Sequence, residues 1–327
     1  MSIKSIVLKT VYPLLEMLPD QWMTKAKLIG NVLVNDWHMD GFCFFDINQT
    51  MPEAEACKLF DQEDDETMRI LHRQYILGEL FVEESHRRRF FFNHTGMLYP
   101  QPSSVIKEML MAKRSFIKHF GLKDVGPETF YYKHGLTLLE PSQREQLKGR
   151  AIIDAGAYRG ESILALQDYQ PSHIYAFEPS SINCSAISAT IQRNHLDKSI
   201  ISVIPKGLSN HVGTLHIQDK GDATVNLQSI GDSACEVTTI DLFAEQHPFN
   251  IGLIKADVEG EGLKLLEGGI KTISHARPLL SIAVYHCAEE FLGIPQLLRK
   301  LDLNYKIRLR CLNPLNTSGE VTILAIP

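Results

Sequence analysis

The chain has 327 residues, enough for about two domains of roughly 150 residues each. Its 44% hydrophobic and 22% charged residues exclude disorder, collagen-like repeats and a miniprotein. The net charge of −6 divides about equally on either side of Glu145, so neither part concentrates the positive charge of a dedicated nucleic-acid module.

In chain order, Lys4, Lys9 and Glu16 interrupt the apolar N-terminus, and no membrane span or signal peptide is expected. The six cysteines form no C-x-x-C pair and read as reduced core thiols, which predicts a cytoplasmic protein without a metal site. Met39 to Phe45 is aromatic and turn-rich. The acidic run Asp61 to Glu66 reads as a solvated helix start favoured by the backbone dipole, with metal binding as the alternative. Leu71 to Glu84 and Val105 to Phe120 have helical apolar spacing. Arg87, Arg88 and Arg89 followed by Phe90, Phe91 and Phe92 read as an edge strand with a charged approach, or as a phosphate or nucleic-acid patch in which Arg forks grip phosphate and rings stack on bases. Residues 1–127 are thus expected to form a mostly helical N-terminal region that binds the acceptor.

From about residue 149 short apolar runs alternate with amphipathic stretches, the mark of βαβ units. Strands are predicted at Ala151 to Asp154, His173 to Phe177, Ile200 to Pro205, Ile251 to Ala256, Leu279 to Tyr285, Tyr305 to Cys311 and Val321 to Ile326. A helix is predicted over Ala288 to Leu301, and an inserted β-hairpin between Gly213 and Thr239. The link Leu312 to Glu320 is too short for a helical crossover, so the last strand is expected to run antiparallel. The expected fold class is α/β, a Rossmann-like sheet of seven mostly parallel strands closed by a C-terminal antiparallel hairpin, over residues 128–327.

Four strand ends carry chemistry. Asp154-Ala-Gly156-Ala157-Tyr158-Arg-Gly160-Glu161 follows the first strand, and its glycines permit a tight turn with a ligand close to the backbone. Glu161 would repel a pyrophosphate at the helix start, and the G-x-x-x-G spacing also disfavours an NAD-dependent oxidoreductase. S-adenosyl-L-methionine, which carries a sulfonium and an ammonium but no phosphate, fits better, with Asp154 on its ammonium side. Glu178, ending the second strand about 20 residues beyond the glycine loop, sits where a ribose-binding acid is expected. Asp257, Glu259 and Glu261 crowd the end of a third strand, where a ligand, base or metal would use them unless they form a solvated turn. His286 closes a fourth and is the first choice of general base, against the alternative of a structural histidine; Asp257, Tyr158 and Tyr285 follow.

With Asp154 to Glu161, Phe177-Glu178-Pro179, Thr238 to Asp241, Ile254 to Gly260 and Arg277 to His286 in this order, the sequence resembles the FkbM-type family of S-adenosylmethionine-dependent methyltransferases from about Glu128 onward. The family's acidic block reads Asp-x-Glu-Gly-x-Glu, whereas here its last place is Gly262. The resemblance implies methyl transfer to oxygen on a sugar or secondary metabolite. The cofactor site expected here comprises Asp154, Gly156, Ala157, Tyr158, Gly160, Glu178 and Asp257, and the catalytic pair is His286 and Asp257. The expected partner is a small-molecule or glycan acceptor, with no nucleic acid. The competing reading is a cofactor-binding regulatory or assembly subunit without turnover.

Overall fold

The computed structural model of the protein describes residues 47–81, 103–217, 219, 233–313 and 320–327. Its strands are β1 (Ala151–Ala155), β2 (His173–Phe177), β3 (Ile201–Ile204), β4 (Gly207–Leu208), β5 (Gly213–Ile217), β6 (Ser233–Thr238), β7 (Ile251–Ala256), β8 (Leu279–Ala283), β9 (Lys306–Cys311) and β10 (Val321–Ile326). Seven of them form one sheet in the order β3-β2-β1-β7-β8-β10-β9. Neighbours from β3 to β8 pair in parallel, and β10 runs antiparallel to both β8 and β9. All seven predicted strands are present, and the antiparallel strand lies inside the sheet rather than at its edge. The predicted hairpin is present as β5 against β6; β4, two residues long, adds to β6 in parallel, too short to leave a pattern in sequence.

The strands read as continuous apolar runs because both faces of the sheet are covered. On β1, Ile153 and Ala155 enter one buried cluster and Ile152 the other. On β7 this alternation slips between Ile251 and Leu253, where the register with β1 shifts. The slip sets Lys255 beside Asp154 on the adjacent strand, a pair that matters below.

Helix α1 (Asp65–Phe81) begins earlier than its apolar spacing suggests, because Asp64 caps it: the Thr67 N–H donates to Asp64 Oδ1 at 2.8 Å. Asp64 also takes both terminal nitrogens of Arg310 on β9, at 2.9 and 2.8 Å, so the acidic run is turned partly inward rather than simply solvated. Ile47, Met51, Ala56, Phe60, Ile70, Leu71 and Tyr75 share one buried cluster with β7, β8 and β9, which makes these residues part of the sheet's own core. Helix α2 (Ser103–Phe120) packs through Met109 on Val125 and Phe130 in a smaller cluster. Met39 to Phe45 and Arg87 to Phe92 lie outside the described residues. Among the described residues no helix is long and apolar enough to cross a membrane.

Candidate active site

The carboxyl ends of β1, β2, β7 and β8 open into one crevice of about 1020 Å³. Its walls include Gly156, Ala157, Tyr158, Glu161 and Glu178 on one side, and Lys255, Asp257, Glu259 and Tyr285 on the other.

The loop after β1 is fixed through its backbone. The N–H groups of Gly156 and Ala157 donate to the Phe177 carbonyl at 3.0 and 3.2 Å, tying the loop to the end of β2. Gly156 has φ +71, and a Cβ there would sit 1.9 Å from the carbonyl oxygen of Asp257. One close approach that requires this glycine is thus to the β7 loop, and Gly156 also lines the crevice. Tyr158 also has a left-handed backbone, φ +49, which aims its N–H at Glu178 Oε2, 2.9 Å away. Gly160, at φ +86, opens helix α3 (Glu161–Leu166).

Glu178 is 3% exposed yet lines the crevice. Its Oε1 accepts from the Ser180 N–H at 3.0 Å and faces the Asn183 amide at 3.4 Å. Burial pushes its carboxyl upward, against the pull of these N–H donors. Glu161, beside it, is also raised by burial.

Asp154 is placed differently from expectation. It is 0% exposed and does not line the crevice, because its side chain turns between β1 and β7. Lys255 Nζ lies 3.1 Å from its Oδ1, and Ser162 Oγ donates to its Oδ2 at 2.5 Å. The same ammonium donates to the Gly156 carbonyl at 2.9 Å, so the Asp154–Lys255 pair braces the glycine loop from beneath. Burial opposes the charge on Lys255, but Asp154 and Asp257 outweigh it and hold the ammonium above its usual range. Lys255 went unweighed in sequence. The signal was an isolated lysine in one buried strand and an isolated aspartate in another.

The β7–β8 end is crowded with charge. His286 Nε2 lies 3.4 Å from Asp257 Oδ1 and 3.7 Å from Glu259 Oε2, while its Nδ1 lies 3.2 Å from Glu290 Oε2. Burial disfavours a charged ring, but Asp257 and Glu290 raise it to about 11. Burial likewise works against the Asp257 carboxylate, which His286 nevertheless draws down to about 2. His286 is not a crevice wall, and both ring nitrogens face carboxylates. Turned toward carboxylates and away from the crevice, it is not placed to take a proton from an incoming hydroxyl, which argues against the base role expected of it. Tyr285 donates its hydroxyl to Asp257 Oδ1 at 3.3 Å, and burial raises its phenol well above the usual range.

Two further wall residues, Glu128 and His134, were not anticipated. Burial, reinforced by Asp257, pushes Glu128 up to about 7. Burial and then Lys255 lower His134 to about 3, which keeps its ring neutral. Lys133, His134 and Gly135 all have positive φ, a tight turn whose His134 carbonyl accepts from Ser281 Oγ at 2.6 Å. These residues precede the first strand in a segment without periodicity, so no sequence signal marked them.

Residues 154–307 match a family model described as the methyltransferase FkbM domain. Among solved structures, an FkbM methyltransferase from Methylobacillus flagellatus KT aligns with 85% of this chain at 19% identity and a TM-score of 0.55. This chain spans 60% of that protein's length. An rRNA methylase from Streptococcus thermophilus aligns with 61% of this chain and 96% of its own, at 15% identity and a TM-score of 0.39. Fibrillarin from Aeropyrum pernix, solved with natively bound S-adenosyl-L-methionine, aligns with 67% of this chain and 76% of its own, at 11% identity and a TM-score of 0.36. The search of curated proteins gives no match.

Proposed function

We propose that this chain, which over residues 154–307 belongs to the methyltransferase FkbM domain family, transfers a methyl group from S-adenosyl-L-methionine to a hydroxyl oxygen of a small molecule or glycan. The observation that carries the cofactor assignment is Glu178, buried but opening on the crevice at the end of β2. The Ser180 N–H and the Asn183 amide engage Oε1, while Oε2, held by the Tyr158 N–H, keeps a further lone pair for a ribose hydroxyl. The crevice is large enough for a nucleoside-sized ligand, and its acidic wall suits a cationic one. Gly156, Ala157, Tyr158 and Gly160 shape the loop on which the cofactor would lie; Asp154 acts beneath it through Lys255. When bound, the cofactor supplies an activated methyl group.

The chain's own part in the reaction is alignment, since displacement at a methyl carbon depends chiefly on holding the acceptor oxygen in line. Glu128 is the best placed base: it faces the crevice, and its carboxyl sits near neutrality, where a group both accepts and releases a proton readily. Asp257 forms the acidic wall opposite, and His286 is a positioning residue that orients Asp257 and Glu259. Residues 113 and 121–127 reach the crevice mouth, which supports a role for residues 1–127 in choosing the acceptor.

Calorimetric titration tests the cofactor assignment. S-adenosylhomocysteine should bind and NAD should not, and Glu178→Ala should weaken binding by about 1 to 3 kcal/mol through lost charge-assisted hydrogen bonds. Unchanged affinity in a folded variant would reject this placement of the ribose.

A further inference from the structure

We propose that Asp257, Glu259 and His286 form a binding site for one divalent cation of the Mg²⁺ or Mn²⁺ class at the β7–β8 end of the crevice. Among the described residues these are the three metal-ligating side chains that gather in one place, with one ligand atom from each lying within 4.8 Å of the others. The separations of 3.4 and 3.7 Å from His286 Nε2 to the two carboxylates are somewhat longer than the roughly 3.0 Å edge of an octahedron with bonds of about 2.1 Å, so small side-chain rotations bring the three atoms onto one ion. Two carboxylate oxygens and one imidazole nitrogen form a mainly hard donor set, and the crevice side stays open for water or substrate oxygen.

The independent observation is the histidine. Its side chain is 10% exposed, and its Nε2 is buried without a well-formed hydrogen bond, aimed between Asp257 and Glu259. The other nitrogen is already assigned: Nδ1 faces Glu290, whose own carboxylate is anchored by the Gly262 N–H at 2.6 Å. A carboxylate behind Nδ1 keeps the ring proton on that nitrogen, so that a cation displacing the Nε2 proton meets the Nε2 lone pair, as in metal-bound histidines. The charge count agrees. Three carboxylates surround this ring, and the nearby Lys255 ammonium is engaged by Asp154 and the Gly156 carbonyl. A dication neutralises more of that charge than a single ring proton does. The part it would play, holding the acceptor oxygen beside the methyl group, rests on the methyl-transfer reading; its binding does not.

The test is Mn²⁺ titration of the full chain after chelator treatment and dialysis, followed by loss of the free-ion electron paramagnetic resonance signal. One saturable site is expected. Glu259→Gln and His286→Ala should each weaken it tenfold or more, and Glu290→Gln should weaken it about tenfold through its hold on the histidine. Glu178→Ala should lose S-adenosylhomocysteine affinity yet keep Mn²⁺ affinity, which separates failure of the cation site from failure of the cofactor reading. No saturable uptake by the wild-type chain at millimolar Mn²⁺ would overturn the proposal, leaving an ion cluster bridged by a proton. Uptake indifferent to Glu259→Gln and His286→Ala in variants with unchanged circular dichroism would overturn it as well.

Discussion

At the β1–β2 end of the crevice the charged groups are matched: Asp154 meets Lys255, and Glu178 meets backbone N–H groups and an amide. At the β7–β8 end Asp257, Glu259 and Glu290 converge on one histidine, and Asp257 reinforces the upward push of burial on the carboxyls of both Glu128 and Glu320. The first arrangement is balanced and suits a site that must keep its shape. The second carries an excess of negative charge, and such an excess persists when a ligand uses it. One end is thus built for holding, and the other for chemistry on something that arrives.

The sharpest way to break this comparison is to unbalance the matched end. Lys255→Met leaves Asp154 buried beside an alkyl chain, and the expected loss is about 3 to 5 kcal/mol in urea unfolding. Asp154→Asn in the same chain should recover part of it; a Lys255→Met variant of wild-type stability would show that the pair braces nothing. Gly156→Val is next. With a left-handed backbone and Asp257 carbonyl oxygen in the way, it should cost about 3 kcal/mol and abolish S-adenosylhomocysteine binding. Retained binding would mean that the two loops move apart at little cost.

At the crowded end the expected effect is on turnover rather than stability. Glu128→Gln should lower kcat by about 100-fold or more while the dissociation constant for S-adenosylhomocysteine changes little. A variant with full activity would pass the base role to Asp257. The smallest effect serves as a reference far from both ends. Arg310 and the Thr67 groups hold the Asp64 carboxyl well below its usual range, against the opposing effect of burial. The stability Asp64 contributes is therefore present above the pKa of the unfolded carboxyl and is lost as pH falls through the lower folded value. Asp64→Asn should cost about 1 to 2 kcal/mol near neutrality, and this deficit should shrink in acid while cofactor affinity stays unchanged.

The sheet was legible because strands covered on both faces announce themselves as apolar runs, and the short Leu312 to Glu320 link left little choice but an antiparallel return. Glu178 was legible from its distance beyond the glycine loop. What escaped depends on partners remote in sequence. Asp154 and Lys255 meet only because β1 and β7 are neighbours in a particular register, and Asp64 meets Arg310 across the whole chain. His286 was visible as a candidate, but its environment was not: Glu290 reaches it from the first turn of helix α4 (Ala288–Lys300), and Glu259 from a loop with left-handed backbone, φ +53. Sequence named the residue, while packing decided which of its atoms were available.

The place of β10 between β8 and β9 also governs the order in which the protein can assemble. Strand β9 is made before β10 but has no sheet neighbour until β10 exists, since β8 and β9 do not pair with each other. A nascent chain that has emerged as far as β9 therefore presents an unfilled slot: β8 is open along one edge, and β9 is held without a strand beside it, by packing such as that on α1. Closing the slot requires the β9–β10 hairpin, itself local, to dock through β10 on β8, a pairing of greater sequence separation. Until then both flanking edges are templates for strands of other chains. Aggregation during synthesis, rather than loss of the finished fold, is where sequence changes in Val321–Ile326 should be felt first.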